Sequence, residues 1–145
     1  MEIEDVYGEE KLKNSLHYRT DTFASVYMEN MSDDTFKVKD LPNMAQLSNL
    51  NDMLIRDFND DGALDVLAIG NLYVSEMETP RNDEGTGVLL LGDGKGYFTA
   101  KRGSKIEFYA AKGAKKIISL TNGQKDYALV GNNDDELQFF EIEKN

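Results

Sequence analysis

The chain has 145 residues, 27 acidic against 16 basic, a formal charge of −11 and no cysteine. That length makes one ordinary domain with a real core. The acidity argues against nucleic acid or an anionic membrane as partner, and the missing cysteines exclude disulfides and thiolate metal sites.

No apolar run approaches the roughly 18 residues of a membrane span. The first residues, Met1-Glu-Ile-Glu-Asp5, are acidic where a signal peptide is basic and then apolar. The chain as it stands is therefore either intracellular or the mature part of something longer.

In chain order, Gly8 to Tyr18 is the one stretch with a helical pattern, Leu12 and Leu16 standing at i and i+4 among charges. Phe23 to Asn30 and Thr35 to Lys39 read as a hairpin across Met31-Ser-Asp-Asp34. Leu50 to Arg56 leads into an acidic loop and Leu64 to Ile69 leads out. Val88 to Leu91 and Tyr97 to Lys101 read as a second hairpin, because the intervening Gly92-Asp-Gly-Lys-Gly96 permits the positive φ angles a tight turn needs. Ile106 to Tyr109, Lys116 to Leu120, Tyr127 to Val130 and Leu137 to Ile142 complete a run of short strands, which predicts an all-β chain.

The acidic loop is Asp57-Phe-Asn-Asp-Asp-Gly-Ala-Leu-Asp65. Side-chain oxygens recur at Asp57, Asn59, Asp61 and Asp65, Gly62 marks the bend, and the carbonyl of Ala63 is a further donor. Hard oxygens at alternate positions around a glycine suit Ca²⁺, which takes 6–8 oxygen ligands in flexible geometry. An EF-hand needs a bidentate Glu at the twelfth position. Here that residue is Ala68, inside the apolar run Val66-Leu-Ala-Ile69, so the loop feeds a strand and not a helix. The plainer reading is a polar turn, since Asn, Asp and Gly dominate turns without any metal. Against it, carboxylates crowded into one loop, Asp60 among them, repel one another unless a cation is present.

Two internal alignments follow. Val26 to Phe36 lies over Val88 to Phe98, strand, turn and aromatic in each. Asp61 to Asn71 lies over Asn122 to Asn132, both ending in Gly-Asn. They imply a four-stranded unit of roughly 60 residues, a period suited to propeller blades. In the second copy Leu120 replaces the first Asp, the loop is shorter by two residues, and Asn122 and Asp126 survive.

The Asp57–Asp65 run before an apolar strand resembles the FG-GAP or VCBS-type repeat. Gly92-Asp-Gly-Lys-Gly-Tyr-Phe98 and Leu41-Pro-Asn-Met-Ala-Gln46 add to the likeness. Such repeats build the propellers of integrin α-subunits, and this chain is most similar to the carboxy-terminal part of bacterial VCBS-repeat proteins related to cartilage acidic protein. The resemblance spans about residues 20 to 142. It implies Ca²⁺ held by Asp57, Asn59, Asp61 and Asp65 through side chains and by Ala63 through its carbonyl. It also implies an extracellular, cell-surface or periplasmic setting and a non-catalytic role in protein or glycan recognition and adhesion.

The fold expected is an incomplete propeller of two to three four-stranded antiparallel blades behind a short amino-terminal helix. Residues 1–22 form the helical segment, 23–46 a partial blade, 47–104 the metal-binding blade and 105–145 a degenerate one. A closed propeller needs at least four blades. The shortfall is met by a homo-oligomer, by a sandwich-like pair of blades, or by the chain being a piece of a larger propeller, the last being favoured.

The longest interruption of the repeat, Leu72 to Thr86, is a candidate ligand-recognition loop with Tyr73, Arg81 and Asp83 as contacts, or a plain solvated insertion. Asp83 and Glu84 are weaker candidates for a second cation site. Catalysis finds little support. The lone histidine, His17, offers no triad, and Gly92–Gly96 is a hairpin turn instead of a phosphate loop. The alternative function is a hydrolase or an enzyme's accessory domain, with structural calcium and a cleft shaped by the 72–86 loop.

Overall fold

The computed structural model describes residues 2–73, 84–102 and 106–143. It is mostly β, in three antiparallel sheets, with only short helices. Two helices, α1 (Ile3–Tyr7) and α2 (Glu9–Leu12), precede nine strands: β1 (Val26–Asn30), β2 (Phe36–Asp40), β3 (Asp52–Arg56), β4 (Asp65–Ile69), β5 (Val88–Gly92), β6 (Phe98–Arg102), β7 (Ala114–Asn122), β8 (Lys125–Asn132) and β9 (Gln138–Ile142). A 3-10 turn, Asn43–Gln46, follows β2.

The helical segment lies earlier than its spacing predicts. Glu2 donates its backbone N–H to Asp5 (2.8 Å), half of a capping box that starts α1. Gly8, at φ 77°, then breaks the helix, and α2 ends at Leu12. Leu16 stays 77% exposed, so no burial rewards extending the helix to Tyr18. The strand expected at Ile106 to Tyr109 is also absent. That stretch is a turn and coil that buries Phe108.

The sheets are a hairpin β1–β2, a meander β3–β4–β5–β6 and a meander β7–β8–β9. Only the central one has four strands, and among the described residues the sheets close into neither a barrel nor a propeller. β4 and β5 are apolar on both faces because both are covered, so they read as continuous apolar runs without alternation.

On one face of the central sheet, Ala68, Val88 and Leu90 pack with Ala45, Leu41, Met44 and Leu50. The hairpin lies on this side, Tyr27 meeting Phe98 edge-on at 5.5 Å. On the other face, Leu67, Ile69 and Leu89 join Ile117, Ala128 and Val130 of the third sheet around Phe108. The central sheet is thus covered on one face by the 41–50 segment, with the hairpin against Phe98 at its β6 edge, and on the other by the third sheet.

The two segments aligned in sequence, 61–71 and 122–132, meet through matching residues. Leu67 aligns with Ala128 and Ile69 with Val130, yet all four point into one shared core. β7 runs beside β3 in the same direction. Asn51 reaches the Ala114 carbonyl (2.6 Å), Asp52 accepts the Ile117 N–H (2.9 Å), and Arg56 reaches Asp126 (3.1 Å). The shared core closes this pair of sheets, and the outer face of the third sheet stays open.

Candidate metal centre

β3 ends at Arg56 and β4 begins at Asp65. These two residues pair across the ladder, so residues 57–64 are a loop pinched at its base. Two unusual backbone positions make the bend, Asp60 at φ 57° and Gly62 at φ 86°. A short polar side chain tolerates the left-handed region and glycine occupies it freely.

Inside the loop the side chains hydrogen-bond to the backbone. Asp57 Oδ1 and Asn59 Oδ1 each accept the Asp61 N–H at 3.2 Å, which brings these two oxygens to one point. Asp57 Oδ2 accepts the Gly62 N–H (2.8 Å) and Asp61 Oδ1 the Ala63 N–H (2.8 Å). Asn59 Nδ2 donates to Asp61 Oδ2 (2.8 Å). Such Asx-type bonds shape a turn by themselves.

Asp65 stands apart from this group. It is fully buried, its Oδ2 accepting the Phe58 N–H (2.9 Å) and its Oδ1 the Gly92 N–H (2.9 Å). It therefore ties the start of the loop to β5. Gly92 is required there because a Cβ on it would stand 2.2 Å from the Leu64 carbonyl oxygen. In the β5–β6 turn beside the loop, the Tyr97 and Lys95 N–H groups (3.0 and 2.7 Å) hold the Asp93 carboxyl below its ordinary range.

The donor set fits a hard cation in its chemistry. Three carboxylates, one amide oxygen and one carbonyl are what Ca²⁺ takes, and each Asp65 oxygen keeps a second lone pair beyond its N–H bond. Among the described residues no three His, Cys, Asp or Glu side chains converge closely enough to hold a metal by themselves. Asn59 and the Ala63 carbonyl make up the rest of the expected set. Among the described residues no lysine or arginine forms an ion pair with Asp57, Asp60 or Asp61.

The aligned segment of the third sheet differs more than the alignment implies. Leu120 pairs with Tyr127 and Asn122 with Lys125 inside the β7–β8 ladder, leaving a two-residue turn, Gly123-Gln124. The two-residue deletion has a larger effect on the loop than its length suggests: the ladder runs on through Leu120 and Asn122, and a tight hairpin remains. Asp126 is only 7% exposed and keeps a carboxylate where Asp65 has one, with different partners. Thr121 donates its hydroxyl to Oδ1 (2.7 Å) and the Arg56 guanidinium meets Oδ2 (3.1 Å).

Of the insertion residues, Arg81 and Asp83 lie outside the described residues. Tyr73 donates its hydroxyl to the Ala111 carbonyl, which anchors the start of the insertion to the segment before β7. Glu84 is exposed. His17 lies in coil after α2, its Nε2 3.1 Å from the Leu12 carbonyl.

Sequence reasoning passed over Asn71, the hub at this end of the sheet. Its Oδ1 accepts from the Ser48 hydroxyl (3.0 Å) and the Gly85 N–H (2.9 Å), and its Nδ2 donates to the Gly85 (2.6 Å) and Lys112 (3.1 Å) carbonyls. The recurring Gly-Asn pair was its signal. The aligned Asn132 only donates, to the Glu136 carbonyl (2.6 Å) and to Gln138 Oε1 (3.2 Å), while its buried Oδ1 accepts no hydrogen bond.

The chain matches no protein-family model, no curated protein and no solved structure.

Proposed function

We propose that the chain is a non-catalytic, calcium-binding repeat module of the propeller-blade type, serving at a cell surface or in a secreted protein as a scaffold for protein or glycan recognition. The observation that carries this reading is the loop. Asp57 and Asn59 bring side-chain oxygens to the Asp61 N–H, three carboxylates stand within five residues, and no described basic side chain pairs with them. Like charges so placed favour a bound cation, and oxygen-only ligation suits calcium above transition metals.

The resemblance to FG-GAP and VCBS-type repeats supports the same assignment and supplies the recognition role. Candidate glycans and peptides test that role, with saturable binding and no turnover as the expected result.

The metal assignment is tested by calorimetry and thermal unfolding in calcium against chelator. Binding only to the folded state stabilises by about 2.7 kcal/mol at a hundredfold excess over Kd, so the melting temperature rises with calcium. Asp61→Ala removes that rise while leaving the melt in chelator almost unchanged, since it deletes only exposed hydrogen bonds. Absence of any calcium response in the parent chain would reduce the loop to an Asx-turn.

A further inference from the structure

The hairpin and the β5–β6 turn border a cleft of about 350 Å³, a volume within the range of small-molecule sites. Its walls are held in place. Lys39 Nζ donates to the Lys95 carbonyl (3.1 Å) and pairs with Glu29 (3.1 Å), which ties β2 to the turn. Gly96 permits this approach, because a Cβ there would stand 2.7 Å from the Tyr27 ring and 2.8 Å from Lys39 Nζ. Tyr27 in turn meets Phe98 edge-on at 5.5 Å.

Aromatic surface and unused polar groups come together here. The turn side supplies Tyr97 and Phe98, and the hairpin side supplies Tyr27, Asp40 and Pro42. Tyr97 is 62% exposed, and Asp40 is exposed at the rim. Among the described residues, the Tyr27 and Tyr97 hydroxyls and the Asp40 carboxylate have no hydrogen-bond or ion-pair partner.

Charge narrows the choice of ligand. A cation is kept from the tyrosine rings by Lys39, whose Nζ already lies 4.3 Å from the Tyr97 centroid and 5.8 Å from that of Tyr27. An anion meets the Asp40 carboxylate, and the cleft's own lysine is already matched by Glu29. What fits is a neutral molecule with an apolar face for a tyrosine ring and hydroxyls for a carboxylate and two phenols. A sugar ring has this form, since its C–H bonds make one face apolar and its hydroxyls stand around the edge.

We infer that the cleft binds a neutral saccharide, with Tyr97 packed on the apolar face of a sugar ring and Asp40 and the Tyr27 hydroxyl bonded to its hydroxyls. Hydroxyls donating to a carboxylate make the stronger, charge-assisted kind of hydrogen bond. The inference rests on the recognition role proposed above and gives it a ligand class and a place. It does not depend on the metal, because the cleft shares no residue with the 57–65 loop.

Amide NMR spectra of the full chain, titrated to millimolar maltohexaose, cellohexaose and chitohexaose, test it. At least one of the three is expected to saturate, shifting the amides of Tyr27, Gly96 and Tyr97 and leaving those of the third sheet unmoved. Tyr97→Ala should weaken that binding by about tenfold or more, whereas Tyr97→Phe, which keeps the ring, should retain most of it. Asp40→Ala weakens it independently. Circular dichroism checks that each variant folds, and neither chelator nor Asp61→Ala should change the affinity.

Saturation with shifts away from the cleft, or binding indifferent to Tyr97→Ala, overturns the inference and leaves the recognition role standing. If none of the three saccharides binds, the inference falls as well. The proposed function is then decided separately, by peptide binding and by the calcium response.

Discussion

Two loops join the first and second strands of the central and third sheets, and they start from one pattern. Residues 57–64 form an eight-residue acidic loop, while the counterpart is the turn Gly123-Gln124. What both aligned segments share is the buried carboxylate, Asp65 or Asp126, and the Gly-Asn that ends the strand. What only the central sheet's loop has is the set of side-chain oxygens at Asp57, Asn59 and Asp61. The common elements organise the fold, and the difference isolates the chemistry. Asp65 satisfies two backbone N–H groups, and Asp126 does equivalent structural work through Thr121 and Arg56. A carboxylate that also stands at the aligned position of the third sheet, where there is no such loop, is not there for a metal alone.

The largest expected effect breaks that shared element. Asp65→Ala leaves the Phe58 and Gly92 N–H groups buried without an acceptor, and unsatisfied buried groups cost about 1–3 kcal/mol each. Denaturant unfolding in chelator should therefore show a loss of about 3 kcal/mol, where Asp61→Ala shows little. Equal effects from both would mean that Asp65 belongs to the loop chemistry only.

Next comes Asp126→Ala, which strips a half-exposed Arg56 of its partner and Thr121 of its acceptor. A loss of about 1–2 kcal/mol is expected, with the calcium response intact. A vanished calcium response would show that the third sheet holds the metal loop in place through Arg56.

Much of this was legible in the sequence. Nine short strands follow from runs such as Val66 to Ile69 and from turn residues such as Gly94 and Gly96, because local turn chemistry and alternation are encoded locally. The Asp57–Asp65 loop was legible for the same reason. Pairing was harder to read. Leu120 and Asn122 look like loop residues by alignment, but Gly123, at φ 65°, makes a two-residue turn that draws them into the ladder. Ile106 to Tyr109 has strand-like composition, yet no free strand edge takes it up, and Phe108 fills the gap between two sheets instead. That the aligned residues of the two sheets face one another is set by how sheets dock, which no local pattern reports.

The smallest expected effect sharpens the comparison at the seam between the central and third sheets. Asp52 of β3 meets β7 there. Burial works against its charge, but the Ile117 N–H (2.9 Å) and the Lys116 ammonium (3.1 Å) favour the carboxylate and hold its pKa below the ordinary value. In the unfolded chain an aspartate titrates near about 3.9. Because the folded value is the lower one, the unfolded state binds more protons between the two, and stability rises with pH across that window. The contribution is complete above about pH 4 and is lost as pH falls through the folded pKa. Other carboxylates titrate in the same range, so the measurement is a difference. Chemical unfolding of the parent and of Asp52→Asn, stepped downward from neutral pH to below 4, should give a shallower acid slope for the variant. Parallel slopes would mean that Asp52 contributes no charge-dependent stability. The seam would then rest on the apolar core of Leu67, Ile69, Ile117 and Val130, and on neutral hydrogen bonds such as that of Asn51 to Ala114.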